Sequence, residues 1–336
     1  MQLSVLDQSP IRKGSNAREA LQETVALAKL ADELGYTRFW VAEHHNTTVL
    51  AGTTPEILIA HLAGQTSTIR LGSGGVMLPH YSALKVAENF RMLEALFPGR
   101  IDLGVGRAPG GDRLTAGVLN PTNTFSEQDF VQQLFDLQNY LNDRYDPASV
   151  QARVRAMPVP PSVPAQWILS SSGHSAVLAA HFGMGFSFAH FINPNGGSEA
   201  VQHYRERFQA SENLEQPQAN VAVFVFCSED PGQVQRQQAL TDHRFLQLET
   251  RGRITSFDYD DIKAADYSPG EEARIQYNRR RMIMGSPEEV KSGLLALADQ
   301  YAVEEVLLVN VAADFEERLE SYRLLAGVFE LKGVGV

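Results

Sequence analysis

Short apolar runs alternate with helix-periodic segments along most of this chain. Leu3 to Leu6 is a strand-like run, followed by a segment from Ala17 to Leu34 in which Leu21, Val25, Ala28, Leu30, Ala31 and Leu34 fall mainly on one helical face. Gly35 follows at the position where a left-handed C-cap is expected. The unit then repeats. Arg38 to Val41 leads into a helix opened by Pro55 and running to about Thr66; Ile69 to Gly72 leads into Ala83 to Leu96; and Ile101 to Val105 closes the series.

The rhythm breaks after Gly106. Residues 107–165 carry a glycine cluster, one helical pattern from Phe125 to Leu141 and the proline-rich Pro158 to Pro164, which predicts an insertion over one face. Regular units resume with Trp167 to Leu169 and a helix from Ser175 to Phe182, then Phe186 to Ala189 and a helix through about Phe208. Val221 to Cys227 and Val306 to Asn310 supply the last strands, and between them residues 251–285 are polar and weakly periodic. Eight strand-plus-helix units predict a single α/β domain over residues 1–336, a (β/α)8 TIM barrel with insertions after strands four and seven. An open doubly wound sheet is the structural alternative.

Composition narrows the class. Hydrophobic content of 43% and charged content of 21% are those of a folded globular protein, and a net charge of −11 argues against a general nucleic-acid or anionic-membrane surface. No stretch approaches the ~20 apolar residues needed to span a bilayer, and Met1 to Leu6 lead straight into a strand with no signal-peptide pattern, so a cytoplasmic protein is expected. The single cysteine, Cys227, ends an apolar run and reads as a buried structural thiol.

In parallel α/β folds, chemistry gathers where strands end. The strand exits here present Asp7 and Gln8; Glu43, His44 and His45; Gly74 and Gly75; Arg107; Ser170 to Ser175; His190; and Asn310. Phe39-Trp40-Val41-Ala42-Glu43-His44-His45-Asn46 is the most informative of these, an apolar strand that stops at one carboxylate and two imidazoles. Adjacent histidines diverge and no i,i+4 histidine accompanies them, so no metal site is expected; one imidazole near its ordinary pKa of ~6.5 suits proton transfer instead. Ser170-Ser171-Ser172-Gly173-His174-Ser175 opens a helix after a strand, an anion site by backbone geometry, with Arg107 as a cation at the preceding exit; plain N-capping is the alternative. The run Gly104-Val105-Gly106-Arg107-Ala108-Pro109-Gly110-Gly111 is interrupted by proline and lacks the helix a dinucleotide loop requires.

Four segments in order, Trp40 to Asn46, Gly72 to Pro79, Gly99 to Arg107 and Ser171 to Ala180, together with Gly285 to Val290, resemble the bacterial luciferase-like flavin monooxygenase family over nearly the whole chain. Leu6 to Pro10 and the run to Pro109-Gly110 look closest to a subgroup of single-component members. The resemblance implies a (β/α)8 barrel that binds reduced FMN at the carboxyl ends of its strands, with O2 adding at the flavin C4a position to give a C4a-(hydro)peroxyflavin that oxygenates a small organic substrate. It implies a catalytic role for His44, a non-prolyl cis peptide at Gly74-Gly75 beside the flavin ring, and phosphate contacts from Arg107 and from the helix start at Ser171, Ser172, Gly173, His174 and Ser175. Gly106 stands where the luciferase catalytic subunit has a reactive cysteine, so the resemblance does not extend to light emission, and the family's second phosphate arginine has no match.

The resemblance further implies a separate flavin reductase as the source of FMNH2, and a homodimer, for which Ile57 to Ala60 and Leu93 to Phe97 offer apolar surface. Three other functions remain open at this point: F420-dependent hydride transfer on the same fold, flavin binding or storage without catalysis, and an unrelated phosphate-handling barrel such as an aldolase or isomerase.

Overall fold

A computed structural model describes residues 1–149, 151–251 and 257–333. Eight parallel strands close into a barrel: β1 (Gln2–Asp7), β2 (Arg38–Val41), β3 (Arg70–Ser73), β5 (Ile101–Gly106), β6 (Ala165–Ser170), β7 (Gly185–Ala189), β8 (Ala219–Cys227) and β10 (Glu305–Val309), with β10 pairing to both β8 and β1. Two short strands add to this ring. Val76–Met77 (β4) pairs with the end of β5, and Met282–Gly285 (β9) pairs with the end of β8. The closed barrel therefore replaces the open-sheet alternative.

Local chemistry explains the elements. Helix α1 (Ala17–Leu34) begins where the Asn16 side chain accepts from the Glu19 amide and stops at Gly35, whose φ of 84° is the left-handed cap expected there. Helices α2 (Pro55–Ala63) and α3 (Ala83–Leu96) complete the next two units, and α6 (His174–Phe182) and α7 (Gly197–Arg207) follow β6 and β7. Outward positions such as Leu3, Val5, Phe39, Val41, Leu71, Leu103, Phe186 and Val306 pack under these helices in one large core. Inward positions Leu6, Trp40, Trp167, Ala222, Leu307 and Val309 fill the barrel itself, with the two indole rings edge to face. Below them lies a charged floor: Arg38 bonds Glu305 at 2.6 Å and Asp102 at 2.8 Å, and Arg70 also bonds Asp102.

Between β5 and β6 lie α4 (Arg113–Leu119) and α5 (Glu127–Asn142), the latter packed against α3. The second long connection contains more regular structure than its polar, weakly periodic sequence predicts. It holds α8 (Pro231–Arg251), α9 (Tyr259–Ile262), α10 (Pro269–Arg279) and β9, and then α11 (Pro287–Tyr301), which packs on the outside of β8. Ser268 and Glu271 form a reciprocal capping box with Pro269 in the first turn, which is what starts α10 in a segment without a strong apolar stripe. The chain closes with α12 (Phe315–Val328). No described helix is long and apolar enough to cross a membrane.

Candidate active site

The strand exits divide into groups that the fold has already used and groups it leaves open. Asp7 is fully buried and accepts from Arg318 and from Thr24, so it links the barrel to its outer helices. His190 is held between the Tyr301 hydroxyl and the Arg280 carbonyl, both at 2.8 Å. Asn310 donates to Ser321 and accepts from the Ala312 amide. These three sites are structural. The Cys227 thiol is buried and pushed up to about 12 by desolvation, which keeps it protonated and unreactive.

Glu43 is the pivot of the second exit. One of its oxygens accepts from the His45 ring and the Tyr81 hydroxyl, both at 2.7 Å, and the other accepts from the Met77 amide. Glu43 is wholly buried, and these three donors replace the water it has lost. Glu43, His45 and His80 bring one ligand-type atom each within 4.8 Å of one another, a convergence invisible in the sequence because His80 lies on a separate loop. The Glu43 carboxylate accepts from protein donors and His80 Nε2 meets the Pro109 carbonyl, contacts that tie the trio to the surrounding loops, while His80 Nδ1 is buried without a partner.

His44 stands apart from that network. Its backbone amide donates to the Gly52 carbonyl and that of His45 to the Gly110 carbonyl, which pins the loop from two sides. The His44 ring has a solvent-sealed Nδ1 without a partner. Burial first, and the neighbouring His45 second, lower its pKa to about 4, so the ring is neutral at pH 7 instead of poised near 6.5 as the sequence reading had it. Glu43 and His45 position His44 through the backbone, with no hydrogen bond to its ring.

The peptide between Gly74 and Gly75 is cis. A Cβ on Gly74 would meet Leu6 Cδ1 at 2.5 Å, and one on Gly75 the Gly104 carbonyl at 2.8 Å, so barrel packing by itself demands glycine at both. Gly106 differs: a Cβ there would lie 3.7 Å from Met77 Sδ, an ordinary contact.

The fourth and fifth exits form an anion cradle. Gly173 precedes α6 and no side chain caps that helix, so its first amides are free to meet an anion; the adjoining Ser172, Gly173 and His174 are exposed, while Ser171 is partly and Ser175 fully covered. Arg107 is exposed at the neighbouring exit. Between them sits a residue the sequence did not single out. Glu127, in the first turn of α5, places one carboxylate oxygen 2.7 Å from His174 Nε2 and the other 3.8 Å from Arg107 Nη1. A carboxylate thus already lies between two of the expected phosphate-binding side chains. An acid in a helix's first turn is ordinary dipole chemistry, so nothing in the sequence marks this one out.

An apolar lining completes the mouth. Phe191, Phe224, Phe245, Met282 and Val311 are buried there, with Leu169, Ala189 and Met284 packed against them. A neutral imidazole, an anion cradle and an apolar wall together suit a flat aromatic group carrying a phosphate.

Comparison with known proteins agrees with this geometry. The family model described as luciferase-like monooxygenase matches residues 1–304. The chain is 48% identical to YwcH of Bacillus subtilis (strain 168), covering 97% of this chain and 98% of that protein, and 36% identical to the N-acetyl-S-alkylcysteine monooxygenase of the same organism, covering 97% of each. Apo-MsnO8 superimposes with a TM-score of 0.88 at 39% identity over 99% of both chains. The fold alone is shared with a 3,6-diketocamphane monooxygenase from the CAM plasmid of Pseudomonas putida in complex with FMN (TM-score 0.70, 20% identity) and with an F420-dependent secondary alcohol dehydrogenase in complex with an F420-acetone adduct (0.68, 12%). By the family match over residues 1–304 and by relatives of this identity across nearly its full length, the chain belongs to the luciferase-like monooxygenase family.

Proposed function

We propose that this oxidoreductase takes reduced FMN from a separate flavin reductase and uses O2 to oxygenate a small organic substrate. The observation that carries the reading is the cradle at the fourth and fifth exits, where Arg107 and His174 already hold a carboxylate, a stand-in for phosphate, beside the uncapped start of α6. The residues present therefore fit the cofactor. Arg107 and His174 would hold its phosphate together with Ser171, Ser172, Gly173 and Ser175; the Gly74-Gly75 turn and Gly106 would lie beside its ring. When bound, the flavin supplies the oxygen activation and the redox equivalents.

The chain's own residues do the rest. The apolar lining excludes water from the mouth and so strengthens every polar contact made inside it. His44, neutral at pH 7 and only partly covered, would exchange one hydrogen bond with the reacting group through the exposed edge of its ring, and the Glu43-His45-Tyr81 network keeps its loop from yielding. A neutral ring takes up a proton poorly while empty; a bound anion beside it would raise its pKa and make it a usable base.

Spectral titration with oxidised and reduced FMN and with F420, under nitrogen and under air, tests this reading. Expected are FMN binding that Arg107→Ala weakens, and O2-dependent turnover that His44→Ala abolishes while FMN still binds. Preferential F420 binding with hydride transfer under nitrogen would move the chain to the deazaflavin branch. Flavin binding with no O2 chemistry in the wild type would make it a storage protein.

A homodimer belongs to the same proposal. Ile57 and Leu96 expose 69% and 58% of their surface on α2 and α3, whereas Ile59 and Leu93 between them are buried in the core. Light scattering of wild type and of Ile57→Asp/Leu96→Asp checks it, with a monomeric mass expected for the double variant alone.

A further inference from the structure

Arg244, on α8, is a cation that no carboxylate among the described residues faces. Its Nη1 reaches the Val311 carbonyl at 3.4 Å, at the carboxyl end of the eighth barrel strand, and its Nε is sealed from solvent without a partner. Neighbouring arginines of this cap are matched: Arg274 and Arg281 face Glu249, and Arg279 faces Asp242. Burial is the sole influence on Arg244, lowering its pKa to about 10, with no carboxylate close enough to oppose it. Residues 252–256, outside the described residues, read Gly-Arg-Ile-Thr-Ser and contain no acid. Arg244 is only partly covered, so its guanidinium is reachable from the mouth while its sealed Nε lacks a partner, and an arginine left in that state without a counter-charge is a candidate ligand group.

Its surroundings define that ligand. Phe245, the next residue, packs edge to face on Phe224, which packs likewise on Phe191, and both belong with Met282 and Val311 to the apolar lining of the mouth. Arg107 and the start of α6 stand at the fourth and fifth exits of the eight-membered ring, while Arg244 stands by the seventh and eighth, on a different part of the rim. The two cationic positions therefore address two different anions.

We propose that Arg244 binds the carboxylate of the substrate, so that the chain acts on amphipathic carboxylates whose apolar part lies against Phe191, Phe224, Phe245 and Met282. Resting on the flavin-monooxygenase reading for what happens next, this places the oxidised atom on the apolar portion and the carboxylate at the α8 side of the mouth. A thioether carboxylic acid has this chemistry, and so does a medium-chain fatty acid. The planar fork of arginine suits a bidentate carboxylate, which lysine would match less well.

The test compares acid with amide, using the FMN-saturated protein. N-acetyl-S-methylcysteine and hexanoate are titrated against their carboxamides by calorimetry, in wild type, Arg244→Met and Arg244→Lys. At least one acid is expected to bind about tenfold or more tighter than its amide, a difference of ~1.4 kcal/mol. Arg244→Met should erase that preference, and Arg244→Lys should keep part of it. Thermal stability should hold or rise in Arg244→Met, because the residue removed is an unpaired charge; a fall in stability with the acid preference intact would make Arg244 structural and overturn the proposal. Equal affinity for acid and amide, or no binding of either, overturns it too. Loss of FMN affinity in Arg244→Met would reassign the arginine to the cofactor. Repeating the titrations without FMN separates this inference from the flavin reading: an acid preference that survives where FMN fails to bind rejects the cofactor and keeps Arg244.

Discussion

Replacing Glu127 with glutamine should tighten FMN binding. The carboxylate pairs with His174 at 2.7 Å and with Arg107 at 3.8 Å, and all three side chains are roughly half exposed. Exposed pairs of this kind contribute about 0.2–1 kcal/mol each, so ~1 kcal/mol must be given up when phosphate takes their place. The displaced carboxylate then stays close to a phosphate carrying nearly two charges. At ~5 Å in water each pair of unit charges repels by about 0.8 kcal/mol, and screening at physiological salt roughly halves it. Together the two effects amount to ~1–2 kcal/mol, or a dissociation constant about 5- to 30-fold lower in Glu127→Gln.

Quenching of flavin fluorescence measures the effect directly, and riboflavin is the internal control because it lacks the phosphate. The FMN constant should fall, the riboflavin constant should stay within a factor of two, and the gap should shrink in ~1 M salt. Equal tightening of both flavins would mean that the substitution reshapes the mouth; an unchanged FMN constant would mean that the phosphate binds elsewhere. Either result refutes the reasoning. Because Glu127 sits in the first turn of α5, a small loss of helix stability is expected as well, and it has no bearing on the ratio.

Other outcomes follow from the same structure. His44, with its pKa depressed from 6.5 to about 4, binds fewer protons folded than unfolded between those values, so stability is full above pH ~6.5 and falls as the pH drops toward 4. Urea titrations across that window should show wild type losing roughly 2–3 kcal/mol more than His44→Gln; parallel curves would place the ring in water. Gly106→Cys should fold with a melting temperature close to wild type, since its Cβ has room, whereas Gly104→Ala must push against the Ser73 carbonyl and Leu169 and should lose about 1–3 kcal/mol or fail to fold. Asp102→Ala strips Arg70 of its carboxylate and Arg38 of one of its two on the barrel floor and should cost ~3–5 kcal/mol in denaturant melts, while the flavin affinity of the folded fraction stays unchanged.

How much of this was legible in the sequence depends on whether a feature is local. The eight strands were legible because each is a period-two or wholly apolar run, closed off by a capped helix of different period, and the ends of α1 and α3 lie where Gly35 and Leu96 put them. The regular structure of the second connection was not. Its α9 and α10 are short, polar and started by caps, and an amphipathic pattern does not say that α8 packs on them and on β9 while α11 takes the place beside β8. At the site, His44, Arg107 and the serine-rich helix start announced themselves by lying at strand exits. Tyr81 and Met77, which hold Glu43, are parts of a later segment with no pattern linking them to it. The expectation that His44 is poised near neutrality failed because desolvation is a property of the assembled mouth.

Glu127 and Arg244 show the same limit from opposite sides. Each is an unremarked charged residue on a helix, and what matters is the partner that the fold brings to one and withholds from the other. The molecule carries −11 overall, so a dianionic cofactor approaches against the general field and depends on local cations to be held. At the cradle those cations are already engaged by Glu127, which lowers their net attraction; near the seventh and eighth exits Arg244 is unopposed, which raises it. Under the proposed reading, the cofactor is gripped loosely enough to be handed in reduced and handed back oxidised, while the substrate's charge meets a cation that no carboxylate among the described residues engages. Each neutralisation should therefore move one affinity and leave the other, upward for FMN alone in Glu127→Gln and downward for the acid alone in Arg244→Met, whereas a change in net charge would shift both anions together in each variant.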